Sequence, residues 1–285
     1  MGHLIQTLPE GEPVFGVTSL ENHLYVLRGM KLVEQVEVYD VDSSGLLHCL
    51  TVPGLTCGRG LTCGLEMAAC EYNRCAYISD PSLKSIHRVE LPGPEAVVTR
   101  WPTHDTPWNL SISVRHGVLV TCRKVRKIKE FSTDGQLLQT VDLSQDFLSP
   151  CHAIQLCSGE YIVCHGYGPY GPSGDRLHRV CLIGSDGQVV KSYGGLHGSG
   201  SQRMNTPVHL AVDRNGFVFV LDCVNERVLL LSPELTYIRD VFTCNQLKWN
   251  LLRIHLDADR ERLYVAVVEY KDGKATAGRV IVVTV

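Results

Sequence analysis

Four side chains capable of chemistry, Asn109, His152, His209 and Arg253, recur at equivalent places in four apolar runs of this 285-residue chain. If those runs line one channel, two histidines face into it, and neutral imidazoles so placed can hold a metal. Zinc takes three or four ligands, however, and Arg253 stands where another would be wanted, its charge opposing a cation. Hydrogen-bonded structural histidines are therefore the expectation, with no metal and no cofactor. Calcium would need convergent carboxylates and amides. Only Glu66 and Asn109 qualify, which is too few.

Signatures of nucleophilic chemistry are equally sparse. No G-x-S-x-G elbow occurs. The run Gly194 to Gly200 (GGLHGSG) looks like a phosphate loop but lacks the Lys-Ser/Thr ending and a following helix. Twelve cysteines contain no CxxC pair, and the nearest cluster, Cys57, Cys63, Cys70 and Cys75, matches no common zinc spacing. Others, such as Cys49, Cys164 and Cys181, sit in apolar strand-like runs, where a reduced thiol behaves as a small buried hydrophobe.

Composition narrows the classes further. The chain is 44% hydrophobic and 20% charged, with 27 Lys plus Arg against 30 Asp plus Glu. That suits a folded core and excludes a globally basic nucleic-acid clamp, though not a local basic face. Apolar runs such as 218–221 and 280–285 fall far short of the ~20 residues of a membrane helix, so no membrane contact is expected. The opening MGHLIQTLPEGEP has no basic n-region or apolar h-region, and Gln6 spoils a myristoylation motif at Gly2. A cytoplasmic location is expected, which leaves the sequon at Asn109 a chance match.

The elements that must position these residues are short strands. Residues 207–242 read as four of them, with a turn at Asn215-Gly216 suited to positive φ. The same grammar recurs with second strands centred on Val26, Ile78, Val120, Val163, Val220 and Val265. Turns recur at Asp134-Gly135 and Asp186-Gly187. The spacing approaches the ~40–50 residues of a propeller blade. No window keeps a helical stripe. The prediction is one all-β domain over 1–285, a six-bladed β-propeller of four-stranded antiparallel blades at about 13–56, 61–103, 107–146, 150–196, 206–245 and 250–285. The sixth unit lacks a fourth strand, and residues 3–8 (HLIQTL) supply a spare one. Pairing the two would close the ring and protect a sheet edge.

The segment from Gly198 to Asp240 resembles an NHL repeat. It carries Gly198-x-Gly200, Asn205-x-Pro207, VHLAVD, Asn215-Gly216, VFVLD and Asn225-x-Arg227-Val228 in order. The other units are degenerate: only Asp80 repeats the Asp that ends the second strand, and Arg28, Cys122, His165 and Val267 replace it. NHL propellers are known as the C-terminal module of tripartite-motif ubiquitin ligases, where they hold substrate proteins or RNA. No RING-like spacing or heptads occur here, so the resemblance implies the recognition half alone. The channel histidines are also similar to those of the propeller lyase that completes peptide α-amidation.

In a propeller, the links between second and third strands share one face with the blade-to-blade crossovers. That face is assigned Arg28, Lys31, Arg59, Lys84, Arg123, Lys124, Arg126, Arg176, Arg203, Arg227, Lys248, Lys271 and Lys274. Nine acids oppose these thirteen cations: Glu34, Asp80, Asp105, Asp146, Asp175, Asp222, Glu226, Glu269 and Asp272. Trp108, Tyr167, Tyr170 and Trp249 fall in the same links, free to stack on unpaired bases or to pack between blades. The expected function is a non-enzymatic platform for a protein partner, with RNA binding as the alternative and a metal-dependent lyase as a more distant one. No small-molecule substrate is expected.

Overall fold

The computed structural model describes residues 2–29, 35–55, 65–91, 93, 97–166, 177–200, 202–244 and 249–285. Among these the chain forms strands and no helix. After β1 (Leu4–Thr7), blade 1 is built from β2 (Val14–Leu20), β3 (His23–Arg28), β4 (Gln35–Asp40) and β5 (Leu46–Thr51). Blade 2 contains β6 (Met67–Cys70), β7 (Cys75–Asp80), β8 (Ser85–Glu90) and β9 (Val98–Pro102). Blade 3 contains β10 (Asn109–Ile112), β11 (Val118–Cys122), β12 (Lys127–Phe131) and β13 (Leu137–Asp142). Blade 4 runs through β14 (Pro150–Gln155), β15 (Tyr161–His165), β16 (Leu177–Ile183) and β17 (Val189–Leu196). In blade 5 the strands are β18 (Pro207–Val212), β19 (Val218–Asp222), β20 (Arg227–Leu231) and β21 (Tyr237–Thr243). Blade 6 comprises β22 (Trp249–Asp257), β23 (Arg262–Lys271) and β24 (Lys274–Thr284), with β1 as its outermost strand.

Each sheet is antiparallel, and the six form a propeller. Turn chemistry explains the hairpins. Asp213 accepts hydrogen bonds from the backbone of Asn215 (2.9 Å) and Phe217 (2.8 Å), while Gly216 takes φ +85°. Gly135 (φ +89°) has a second reason to be glycine, because a Cβ there would lie 2.2 Å from Trp101 Cγ. Glycine thus lets blade 2 pack against the turn of blade 3.

Six apolar clusters lie between neighbouring blades, one per interface. Second strands sit between two of them, so β11 (VLVTC) is buried throughout. Fourth strands form the rim, and β13 (LLQTVD) is mostly exposed. The same rule corrects one expectation. Cys49 belongs to the fourth strand β5 and is exposed, whereas Cys164 and Cys181, on inner strands, are buried. No described cysteine is in a disulfide, and Cys57 and Cys63 lie outside the described residues.

The ring closes as the spare strand suggested. Leu4, Gln6 and Thr7 pair with Val283, Val282 and Ile281, and Leu8 donates to Val280 O at 2.9 Å. Leu8 is buried in the cluster joining blades 6 and 1, which also contains Val14, Tyr264 and Val282. Burying such a side chain is worth about 1.5–3 kcal/mol. The two ends of the propeller are thereby joined by both backbone ladder and core.

Candidate functional site

The first strands run along the axis, and ladder register identifies one equivalent position in each. Gly16 opposes Leu27, Asn109 opposes Thr121, His152 opposes Cys164, His209 opposes Leu221 and Arg253 opposes Ala266. In blade 2 the position is Glu66, whose carbonyl accepts from Ser79 N at 3.0 Å. A bulge immediately precedes the position in blades 1, 4, 5 and 6. Bulges re-aim side chains, and here they serve the axial residues. The structure therefore brings Asn109, His152, His209 and Arg253 together, and adds Glu66 to the ring. Glu66 was visible in sequence as a carboxylate, but its ring position depends on an atypical first strand that begins only at Met67.

All five side chains are buried. Arg253 forms an ion pair with Glu66 Oε2 and donates to Leu65 O (3.1 Å) and Leu252 O (2.9 Å). His209 Nε2 lies 3.1 Å from the same carboxylate oxygen, while Met67 N donates to Oε1 at 3.0 Å. His152 stacks on His209 with centroids 4.0 Å apart. Both nitrogens of His152 are committed to backbone: Leu210 N donates to Nδ1 (3.2 Å), so Nε2 carries the proton and donates to Leu110 O (2.9 Å). Asn109 Nδ2 donates to Val208 O at 3.3 Å. Its Oδ1 and His209 Nδ1 have no hydrogen-bond partner among the described residues.

Burial pushes both axial histidines well below the ordinary imidazole range, and neighbouring His209 and Arg253 respectively add to the effect. Burial pushes Glu66 upward, opposed by Arg253 and His152. This is a stitched polar plug. Glu66 reaches two residues from other blades, and His152 ties β10 to β18. No group of three or more His, Cys, Asp or Glu suited to a metal occurs among the described residues.

The crossover face differs from its sequence assignment. Arg28 is buried, pairing with Glu37 (2.5 Å) and donating to Glu12 O, Gly278 O and Pro9 O. Arg227 is also buried. It pairs with Asp222 (2.9 Å), which accepts in addition from Asn205 N (2.6 Å) and Asn225 Nδ2 (2.7 Å). Asn205, Asp222, Asn225 and Arg227 thus brace the crossover into blade 5 and are not free loop groups. Both arginines must be removed from the open basic surface for the same reason: each is held by a carboxylate on the paired strand and by carbonyls of adjoining segments, which linear sequence does not reveal.

Trp249 is buried between blades 5 and 6, with Arg279 4.4 Å above its ring. Trp108 is half-buried beneath Arg123 (4.7 Å), which also bonds Ser149. Neither tryptophan stands open as a base-stacking platform. Lys84, Lys124, Arg126 and Arg203 are exposed. Lys31, Arg59, Tyr167, Tyr170, Arg176 and Lys248 lie outside the described residues.

On the opposite face, the turns between first and second strands surround a cavity of about 620 Å³. Its lining includes Ser19, Glu71, Arg214, His255, Asp257 and Arg260. Ser19 donates to His255 Nε2 through both Oγ (2.7 Å) and backbone N (3.0 Å), linking blades 1 and 6. Burial lowers His255 to about 4, so it is neutral at pH 7. Arg214 pairs with Asp259 (2.6 Å) and Arg260 with Asp257 (3.1 Å). The sequence reading missed this site because it is assembled from four blades, each contributing ordinary turn residues.

No protein-family model matches the sequence, and no similar chain is found among curated proteins. Solved structures do match. Hydrazine synthase from Kuenenia stuttgartiensis aligns with TM-score 0.61 and 12% identity over 93% of this chain and 94% of its own. Virginiamycin B lyase from Staphylococcus aureus gives 0.61 at 8% identity, covering 97% and 98%. The Cps50 (Swd1) β-propeller domain of Myceliophteria thermophila gives 0.56 at 10% identity over the whole of both chains. These likenesses establish the β-propeller fold, which hosts both enzymes and a domain of another kind among its examples.

Proposed function

We propose that the chain is a non-enzymatic recognition platform that holds a protein partner on its crossover face. The observation that carries this reading is the distribution of connection lengths. Between described strands, the longest stretches of chain, 52–66, 166–176 and 197–206, join strand ends at the crossover face, whereas the longest that joins strand ends at the turn face is 91–97. A rigid ring with long links on one side is suited to specific recognition, because those links vary without disturbing the core. The axial plug supports a binding role as well, since Glu66 and Arg253 are spent on one another and both nitrogens of His152 on backbone. The NHL-like run at 198–240 supports a finer reading, recognition in the manner of tripartite-motif ubiquitin ligases.

RNA remains the second reading on one observation. With the buried Arg28, Arg227, Asp80 and Asp222 set aside, the described residues of the assigned face are seven cations (Lys84, Arg123, Lys124, Arg126, Arg203, Lys271 and Lys274) against five acids (Asp105, Asp146, Glu226, Glu269 and Asp272), still a basic excess. The test replaces residues 166–176 by the four-residue link of blade 5, 223–226. In-cell crosslinking of the full chain is expected to lose its recovered proteins in this variant, with the melting temperature retained. An unchanged set of crosslinked proteins overturns the assignment to this face. Binding to a labelled single-stranded RNA that falls steeply with salt, and is lost in Lys124→Glu plus Arg126→Glu, establishes the RNA reading instead.

A further inference from the structure

We propose that Cys70 and Cys75 are a redox pair, closing reversibly to a disulfide at the base of the turn that joins β6 to β7. The two are direct partners in the strand register. No other two described cysteines oppose one another on paired strands. Both are free thiols, and both belong to the cluster between blades 2 and 3. Directly opposed residues hold their Cβ atoms about 4.5–5.5 Å apart. A disulfide wants about 3.5–4.5 Å, with Cα atoms within about 4.4–6.8 Å. Closure therefore asks for roughly one ångström of approach and no rearrangement of the sheet.

The intervening turn, residues 71–74, is tied to Cys70. Asn73 Nδ2 donates both to Cys70 Sγ (3.2 Å) and to His116 O on blade 3 (2.8 Å). Tyr72, highly exposed, stacks on His116 with centroids 4.3 Å apart. Glu71 lines the cavity on the turn face. Drawing Cys70 Sγ toward Cys75 takes it away from Asn73, so the state of the thiols is transmitted to the surface that frames this cavity.

A peroxide supplies the oxidant. Cys70 Sγ, as thiolate, attacks one peroxide oxygen. The O–O bond breaks, the second oxygen leaves as water after taking a proton, and Cys70 becomes a sulfenic acid. Cys75 Sγ then attacks Cys70 Sγ. The S–O bond breaks, and the departing hydroxide takes the Cys75 proton as a second water. Two thiols lose two electrons, and one hydrogen peroxide becomes two waters. Burial raises the Cys75 thiol, so its attack on the adjoining sulfenic acid is slow and rests on the direct opposition of the two residues. A bridge formed between neighbouring strands is strained and so remains open to reduction by thiols. Cys49 and Cys157, exposed and without an opposed thiol, have no such intramolecular partner among the described residues.

The experiment uses the full chain. Hydrogen peroxide is raised until Cys49 and Cys157 no longer react with iodoacetamide, remaining thiols are blocked, and the denatured protein is digested with trypsin. Cleavage after Arg74 separates the two cysteines, so the bridge is expected to join peptide 60–74 to peptide 75–84, with fragmentation placing it on Cys70 and not Cys63. Dithiothreitol is expected to release the pair. Cys75→Ala should leave Cys70 as a sulfenic acid trapped by dimedone, with Cys75→Ser made in parallel and folding checked by melting. Cys70 and Cys75 both found alkylated after peroxide treatment, or a link placed on Cys63, overturns the proposal.

Discussion

Replacing Glu66 by glutamine tests whether the propeller axis is held by charge. The substitution keeps the shape and one acceptor for Met67 N, but removes the counter-ion of Arg253. That guanidinium, 5% exposed, is left with the carbonyls of Leu65 and Leu252. Removing one partner of a buried pair costs about 3–5 kcal/mol. The retained acceptor places glutamine at the lower end, about 3 kcal/mol. At about 2–4 °C per kcal/mol for a chain of this class, melting falls by about 6–12 °C. Adding Arg253→Met to Glu66→Gln removes the orphaned charge, so the double variant should regain most of the loss. Thermal and urea unfolding followed by circular dichroism measure all corners of the cycle. A single-variant loss below about 1 kcal/mol, or a double variant whose loss equals the sum of the singles, refutes a charge-held axis.

Other expectations follow from the same geometry. His152 and His209 sit well below the ordinary range, His165 at about 3 and His255 at about 4, all chiefly through burial. The unfolded chain binds more protons at these histidines below about pH 6.5, so their contribution to stability is flat above neutrality and falls as pH drops toward 4. Each histidine contributes up to about 1.4 kcal/mol per pH unit in that window. A urea midpoint unchanged between pH 7 and pH 4.5 contradicts this, and His255→Gln should make the slope shallower. On the closing segment, Leu8→Ala should cost about 2–5 kcal/mol while Leu4→Ser, at a 64% exposed position, costs under about 0.5. Equal losses at the two positions in urea titrations would show that the ring is not sealed by the Leu8 core.

Periodicity alone determined the six blades, their four-strand grammar and the closing strand. Those features follow from local physics: alternating β-branched runs, positive-φ turns at Asn215-Gly216 and Asp134-Gly135, and one missing strand matched by one spare. The axial positions of Asn109, His152, His209 and Arg253 were also legible, since equivalent residues in repeats occupy equivalent places. What those residues do was decided only by tertiary structure. A ring joins residues distant in sequence, so Glu66 meets Arg253 and His209 across the axis, and Arg28 meets the carbonyl of Gly278. Charge on a link looks the same in sequence whether it faces solvent or a carbonyl. Only the closed ring, by fixing which neighbour desolvates each group, separates the exposed Lys124 and Arg126 from the buried Arg28 and Arg227.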